Sequence, residues 1–224
     1  MALPLAAWLA SCALAAAATE PPPELPPVGS GPCIACRGPA SDPKTAFSPD
    51  DWAALERGGA LVATPEREAS EHDLRARSTG AALVPRPPSE VWAVLTDFER
   101  WPKFMPLLRE THVEKRDGAR AWVAQKFRVW FYPMQHTTVY ELEPGDGRLD
   151  WRLDPSLPHD LASSEGHWEL VPADGGSATL VRYEARMSAG RAVPAFLERM
   201  LRERSLGQML DALKSEVVRR YPKG

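Results

Sequence analysis

The chain has 224 residues, 44% hydrophobic, 25% charged and 8% aromatic, the composition of a globular protein and not of a disordered or fibrous chain or one with many membrane spans. Its 27 Lys and Arg against 30 Asp and Glu leave a formal charge of -3, so no charge excess points to nucleic acid as partner. Its 23 prolines are dense between Pro21 and Pro43, and fold class is therefore read from the body behind that stretch.

In residues 1–18 no side chain is charged, Leu3, Leu5, Trp8, Leu9 and Leu14 stand among alanines, and the segment ends in Ala16-Ala17-Ala18. This reads as a secretory signal peptide cleaved after Ala18, although no Lys or Arg opens it. Two rivals stay open: a membrane anchor, for which the segment is short and weakly apolar, and a lipobox at Leu9-Ala10-Ser11-Cys12 with lipidation of Cys12. On a bacterial source all three place the body outside the cytosol, in the periplasm or cell envelope, with peripheral or lipid-anchored membrane association among the expectations. Cleavage after Ala18 would leave Cys33 and Cys36 as a pair, read by default as a local disulfide. A redox motif lacks its strand and helix, haem attachment lacks a His at Arg37, and zinc lacks two further ligands.

Residues 19–46 are Pro-rich and poor in large apolar side chains, and read as a flexible linker, so a single domain is expected over 47–224. Ser48-Pro49-Asp50-Asp51 supplies a cap, a first-turn Pro and early acids for a short helix holding Trp52 and Leu55, stopped at Gly58-Gly59. Strands follow over 61–62 and 74–84, closed by Pro85, Pro87 and Pro88. Ser89 is read as the cap of a helix through Val91, Trp92, Val94 and Leu95, and Phe104, Met105 and Leu107 as a second short helix. Six strands are expected over 112–115, 119–131, 135–142, 148–153, 167–171 and 178–187, with Pro133 among the separators. Pro194 opens the longest helical pattern, running to Pro222. The order is α+β, with an antiparallel sheet and a long terminal helix across it.

The run Val84-Pro85-Arg86-Pro87-Pro88-Ser89-Glu90-Val91-Trp92, followed by Leu95-Thr96-Asp97-Phe98-Glu99-Arg100-Trp101-Pro102-Lys103-Phe104-Met105-Pro106, resembles the opening of START-like (SRPBCC) proteins. Gly166-His167-Trp168-Glu169-Leu170 and Gly176-Ser177-Ala178-Thr179-Leu180-Val181-Arg182-Tyr183 resemble their late hairpin. The resemblance covers about 51–221. It implies the helix-grip fold, a curved antiparallel sheet wrapped around a long C-terminal helix with two short helices after the first strand. Its relatives include polyketide cyclase/dehydrase and coenzyme-Q-binding proteins.

Such a sheet, covered by one helix, encloses space that side chains fill only partly. Alternation assigns Phe127, Val129, Phe131, Trp168, Leu170, Val181 and Tyr183 to its concave face, with Trp151 and Val139 added, while Lys126 and Arg128 fall outside. Leu197, Met200, Leu201 and Met209 would form the lid, where Met suits an adaptable apolar surface. His72, His112, His136, His159 and His167 show no metal spacing and read as surface or satisfied polar residues. The chain carries no nucleophile elbow, phosphate loop or dinucleotide fingerprint, so no catalytic residue, metal or cofactor is expected. The preferred expectation is a monomeric, exported carrier of a lipid, quinone or polyketide-like molecule. A cyclase or dehydratase using His136 or Tyr183 to move protons, and an envelope interaction module with a filled core, are the alternatives.

Overall fold

In a computed structural model of the chain, described over residues 42–63, 66–69, 74–129, 131–190 and 205–222, a nine-stranded antiparallel sheet curls around a C-terminal helix. The residues expected to form the leader, Cys12, the Cys33 and Cys36 pair and the front of the terminal helix (191–204) lie outside that range.

The packed chain is already present at the 3-10 turn Pro43–Ala46, with Pro43 and Ala46 buried. Helix α1, Pro49–Glu56, starts as its sequence dictates: Ser48 Oγ accepts from the Asp51 N–H at 3.1 Å and donates to the Asp51 carboxylate at 2.7 Å. Strands β1 (Ala60–Val62), β2 (Glu66–Ala69) and β3 (Leu74–Val84) follow, both β1 and β2 pairing with β3. Helix α2, Pro88–Leu95, departs from the expected start. Pro87 occupies the cap position without a side-chain bond and Pro88 is the first helical residue, where a missing N–H costs nothing, so Ser89 lies inside the first turn.

The second short helix is also displaced. A 3-10 run covers Phe98–Lys103, burying Phe98 and Trp101 three residues apart, while Phe104, Met105 and Leu107 form a turn in which Leu107 has φ 65°. Pro106 disfavours helix at Met105 and so holds the turn open. Strands β4 (Leu108–Asp117), β5 (Arg120–Val129), β6 (Tyr132–Glu143), β7 (Arg148–Leu153), β8 (Ser163–Ala173) and β9 (Ala178–Ser188) then run in succession. The sheet order is β1-β3-β9-β8-β7-β6-β5-β4, with β2 beside β3. Pro133 does not separate strands; it pairs with Arg128 inside β6. The Arg128 N–H points the other way, to the Leu107 carbonyl at 2.8 Å, so this is a non-hydrogen-bonded pair that asks no donor of Pro133.

Helix α3, Ser205–Arg220, lies on the concave face with Leu210, Leu213 and Val217 buried. Its C-terminal end is clamped. Arg220 bridges Asp97 and Glu216 at 2.8 Å each, and Arg86, whose carbonyl accepts from Thr179 at 2.7 Å, donates to the Tyr221 carbonyl at 2.5 Å. A second cluster, with Phe47, Trp52 and Leu55 over Ala81, Leu83 and Leu180, seals the convex face.

Gly166 on β8 sits where a Cβ would meet the Trp151 ring and the Glu184 carbonyl. Gly166→Ala is expected to cost about 2–3 kcal/mol by overpacking and to lower Tm by roughly 4–10 °C in calorimetry. Gly145→Ala, at a position with nothing within 4 Å, is expected to leave Tm nearly unchanged.

Candidate functional site

The inner face is filled unevenly. Leu149, Leu170, Val181 and Val84 are fully packed at the end plugged by α2 and the clamped end of α3. Toward the other end Phe127, Met134, Met187 and Ala76 are only partly buried or exposed to the interior. Between them lies a cavity of about 280 Å³. Its walls come from β3, β5, β6, β7, β8 and β9, from the 101–108 segment, and from Leu206 and Met209 at the start of α3.

One wall is a continuous aromatic surface. Trp151 lies against Tyr183 at 5.4 Å between ring centroids, Trp168 meets Tyr183 edge-on at 4.6 Å, and Tyr140 joins Trp151 at 6.5 Å and Trp101 at 5.7 Å. Gly166 makes this possible by leaving room for Trp151. The facing wall is small: Ala76 and Ser78 on β3 lie opposite Met187 and Ala185 on β9. Gly80, next inward, lets Leu206 and Leu210 of α3 approach the sheet.

Polar groups on the described lining are few and uncharged. Gln125 donates from Nε2 to the Tyr140 hydroxyl at 3.1 Å and accepts from Thr138 Oγ1 at 3.0 Å, and burial pushes the Tyr140 and Tyr183 phenols above their ordinary value. His136, opposite Gln125 in the register, stacks on Phe127 at 5.1 Å. Its Nδ1 is buried with no hydrogen-bond partner among the described residues. Burial holds the imidazole down to about 4, against an opposing pull from Asp160, so it is neutral at physiological pH. No Lys, Arg, Asp or Glu stands on the described lining, and the described residues contain no His, Cys, Asp or Glu cluster able to hold a metal.

Of the side chains assigned to the pocket from sequence, Phe127, Trp151, Trp168, Tyr183 and Met209 stand on this wall. Leu170 and Val181 face inward but are sealed in the packed core, away from the cavity. Val129 belongs to β5 with its side chain outside the described set, as are Leu197, Met200 and Leu201. Phe131 is a correction. Val129 and Tyr132 form the last rung of the hairpin, so Phe131 sits in the turn, 81% exposed, where alternation no longer applies. Val139 is another: the inward set on β6 is Met134, His136, Thr138 and Tyr140, which puts Val139 on the outer face.

The histidine expectation also changes. His112 is exposed, but His136 and His167 are buried, each with an Nδ1 that has no hydrogen-bond partner among the described residues. His167 lies on the convex face between Asp150 and Glu184 in the register, and burial lowers its pKa too. Gln125, Thr138, Tyr140 and the Trp101 to Leu108 rim had no part in the sequence assignment. His136 enters the sequence reading of the site only as a proton carrier in the enzyme alternative; continuing the even-numbered alternation of β6 from Met134 would have put it on the wall with Thr138 and Tyr140, but nothing local marks the rim.

The family described as polyketide cyclase / dehydrase and lipid transport matches residues 75–218, the span from β3 to α3. Among solved structures, the chain is similar to the Zhui aromatase/cyclase from Streptomyces sp. R1128, with TM-score 0.56 and 19% identity over 65% of this chain and 95% of that one. It is similar to a STAR-related lipid transfer protein from Xanthomonas axonopodis, with TM-score 0.54 and 19% identity over 69% and 99% of the two chains. A START superfamily protein from Mycobacterium smegmatis aligns with TM-score 0.55 and 16% identity over 64% and 98%. No curated protein matches the chain. At these identities the structural likeness establishes the helix-grip fold.

The lowered pKa of His136 has a sign. In the unfolded chain the imidazole takes a proton near 6.5, in the folded protein near 4, so its contribution to stability is complete above pH 6.5 and is lost as pH falls toward 4. The expected loss across that window is up to about 3 kcal/mol. Urea unfolding of wild type and His136→Gln at stepped pH is expected to show the wild type losing more stability on acidification. His167 remains in both proteins, so the difference isolates His136.

Proposed function

The chain belongs to the polyketide cyclase/dehydrase and lipid transport family, and from that premise we propose that it binds and carries a small, uncharged, largely apolar molecule without covalent chemistry. The observation that carries this reading is the lining itself: an aromatic wall, methionines from β6, β9 and α3, and no charged side chain among the described residues. Removing apolar surface from water stabilises a complex by about 25 cal/mol per Å². Neutral hydrogen-bonding groups such as Gln125, Thr138 and His136 orient a ligand without the penalty of burying an unpaired charge. A volume of about 280 Å³, at the lower end of small-molecule sites, suits a single compact molecule of quinone or polyketide type better than a two-chain phospholipid. The uncharged leader over 1–18 supports a place of action outside the cytosol.

A second reading has one observation in its favour. His136 is neutral, stands on the cavity wall and has an unpartnered Nδ1, with the Gln125–Tyr140 hydrogen bond opposite. This is a geometry from which a proton could be exchanged with a bound carbonyl compound. Turnover of a polyketide-like substrate that His136→Gln abolishes, with binding retained, would establish it.

The carrier reading is tested by closing the cavity. Ala185 points into it from β9, so Ala185→Phe is expected to fill the space with a stability change within about 1 kcal/mol. Native mass spectrometry followed by organic extraction is expected to find an apolar compound on wild type and none on the variant. Added quinone-type probes are expected to bind the variant at least ~10-fold more weakly. Equal probe binding by both proteins would refute the reading.

A further inference from the structure

The feature that packing alone does not account for is a buried phenol without a partner. Tyr183, midway along β9, lines the cavity against Trp151 and Trp168, with ring centroids at 5.4 and 4.6 Å. These are ring contacts, and a Phe would make them equally well. The Tyr183 hydroxyl has no hydrogen bond to any described residue. Burial pushes its phenol above the ordinary value with no hydrogen bond to offset it. Buried phenols generally find a partner for the O–H, so a hydroxyl kept on a cavity wall without one is a donor held for the cavity's occupant.

A second phenol on the same wall has its donor uncommitted. Tyr140, on β6, stands on the other side of Trp151 from Tyr183, 6.5 Å from the indole. Its oxygen accepts from Gln125 Nε2 at 3.1 Å, and Gln125 Oε1 accepts from Thr138 Oγ1 at 3.0 Å. The donors therefore run one way, from Thr138 through Gln125 to Tyr140, and the Tyr140 O–H ends the chain with no acceptor among the described residues. Accepting a bond polarises a hydroxyl and strengthens it as a donor. The two phenols also feel one another, since the Tyr183 group pushes that of Tyr140 further up.

We infer that Tyr183 and Tyr140 form a two-donor subsite for one uncharged carbonyl oxygen, so that the cargo is a cyclic ketone or quinone and not a plain hydrocarbon or a fatty acid. The inference rests on the carrier reading above and deepens it. A carbonyl oxygen brings two lone pairs and no donor, which matches two O–H groups on one wall. A carboxylate could accept the same bonds, but no Lys or Arg stands on the described lining to balance its charge, and burying it unpaired is costly. A hydrocarbon would fill the space and leave both donors unsatisfied. The Trp151 ring between the phenols offers a flat surface to an unsaturated ring system.

The test separates the oxygen from the skeleton that carries it. Fluorene and 9-fluorenone share one tricyclic frame and differ by a carbonyl in place of a methylene, and calorimetry measures the binding of each to wild type and Tyr183→Phe. The variant is expected to weaken fluorenone about 10-fold and to change fluorene by less than about 2-fold. Because no described residue bonds to the Tyr183 hydroxyl, Tyr183→Phe is also expected to keep or raise Tm without ligand. In infrared difference spectra the carbonyl stretch of bound fluorenone is expected at lower frequency in wild type than in Tyr183→Phe or Tyr140→Phe. Equal loss of both probes would make Tyr183 a packing residue and overturn the inference, as would unchanged fluorenone binding or a carbonyl stretch that does not move. A wild type that still holds fluorene in those cases leaves the carrier reading standing. Failure of the wild type to bind either probe would sink the carrier reading and this inference with it.

Discussion

The pairing of β3 with β9 is the constraint on which the cavity depends. It sets Ala76 and Ser78 beside Met187 and Ala185, and Gly80 beside Tyr183. Small side chains on β3 cannot reach across the curved sheet to the aromatic wall on β6 to β9, and space is left between them. Gly80 admits Leu206 and Leu210 of α3 close to the sheet. The helix is thereby seated deeply enough to close the packed end while Leu206 and Met209 roof the cavity.

The clamp at the far end of α3 gives this arrangement its polarity. Arg86 and Thr179 tie the helix end to the sheet, Arg220 ties it to the loop after α2, and Lys214 reaches the Gly58 carbonyl at 3.1 Å. Comparable ties are concentrated where the core is fully packed. The described part of α3 nearest the cavity contributes mainly Leu and Met contacts, which resist displacement less than a network of charged hydrogen bonds. Ligand access is therefore expected at the end carrying Phe127, Met134 and the 105–108 rim.

Much of the fold was legible because period-2 alternation and Pro/Gly punctuation agree over β4 to β9, and because α1 carries its own cap. The same alternation placed Phe127, Trp168 and Tyr183 on the inner face. It failed at Phe131, because alternation says nothing about where a strand stops, and no Gly or Asn stands between Val129 and Tyr132 to announce the end of β5. Pro133 was the misleading signal: its missing donor is harmless at a non-hydrogen-bonded rung, so it continues a strand that sequence punctuation would end. Gln125 and Thr138 were overlooked for a different reason, and His136 entered only as a proton carrier in the enzyme alternative. Polar residues on an inner face look like errors in an apolar pattern until the cross-strand register shows them meeting one another.

On the proposed carrier reading, the absence of charge among the described lining residues fits an uncharged cargo held mainly by contact and desolvation, with His136, Gln125 and Tyr140 as the polar groups that could fix its orientation. The most direct measurement is an isotope-filtered NOE experiment on the labelled protein with an unlabelled quinone-type probe. The account predicts contacts from probe protons to the Trp151 and Tyr183 rings and to the Met209 methyl, three groups brought together only inside the cavity. Contacts confined to Phe131 and other surface groups, with none to those three, would contradict it.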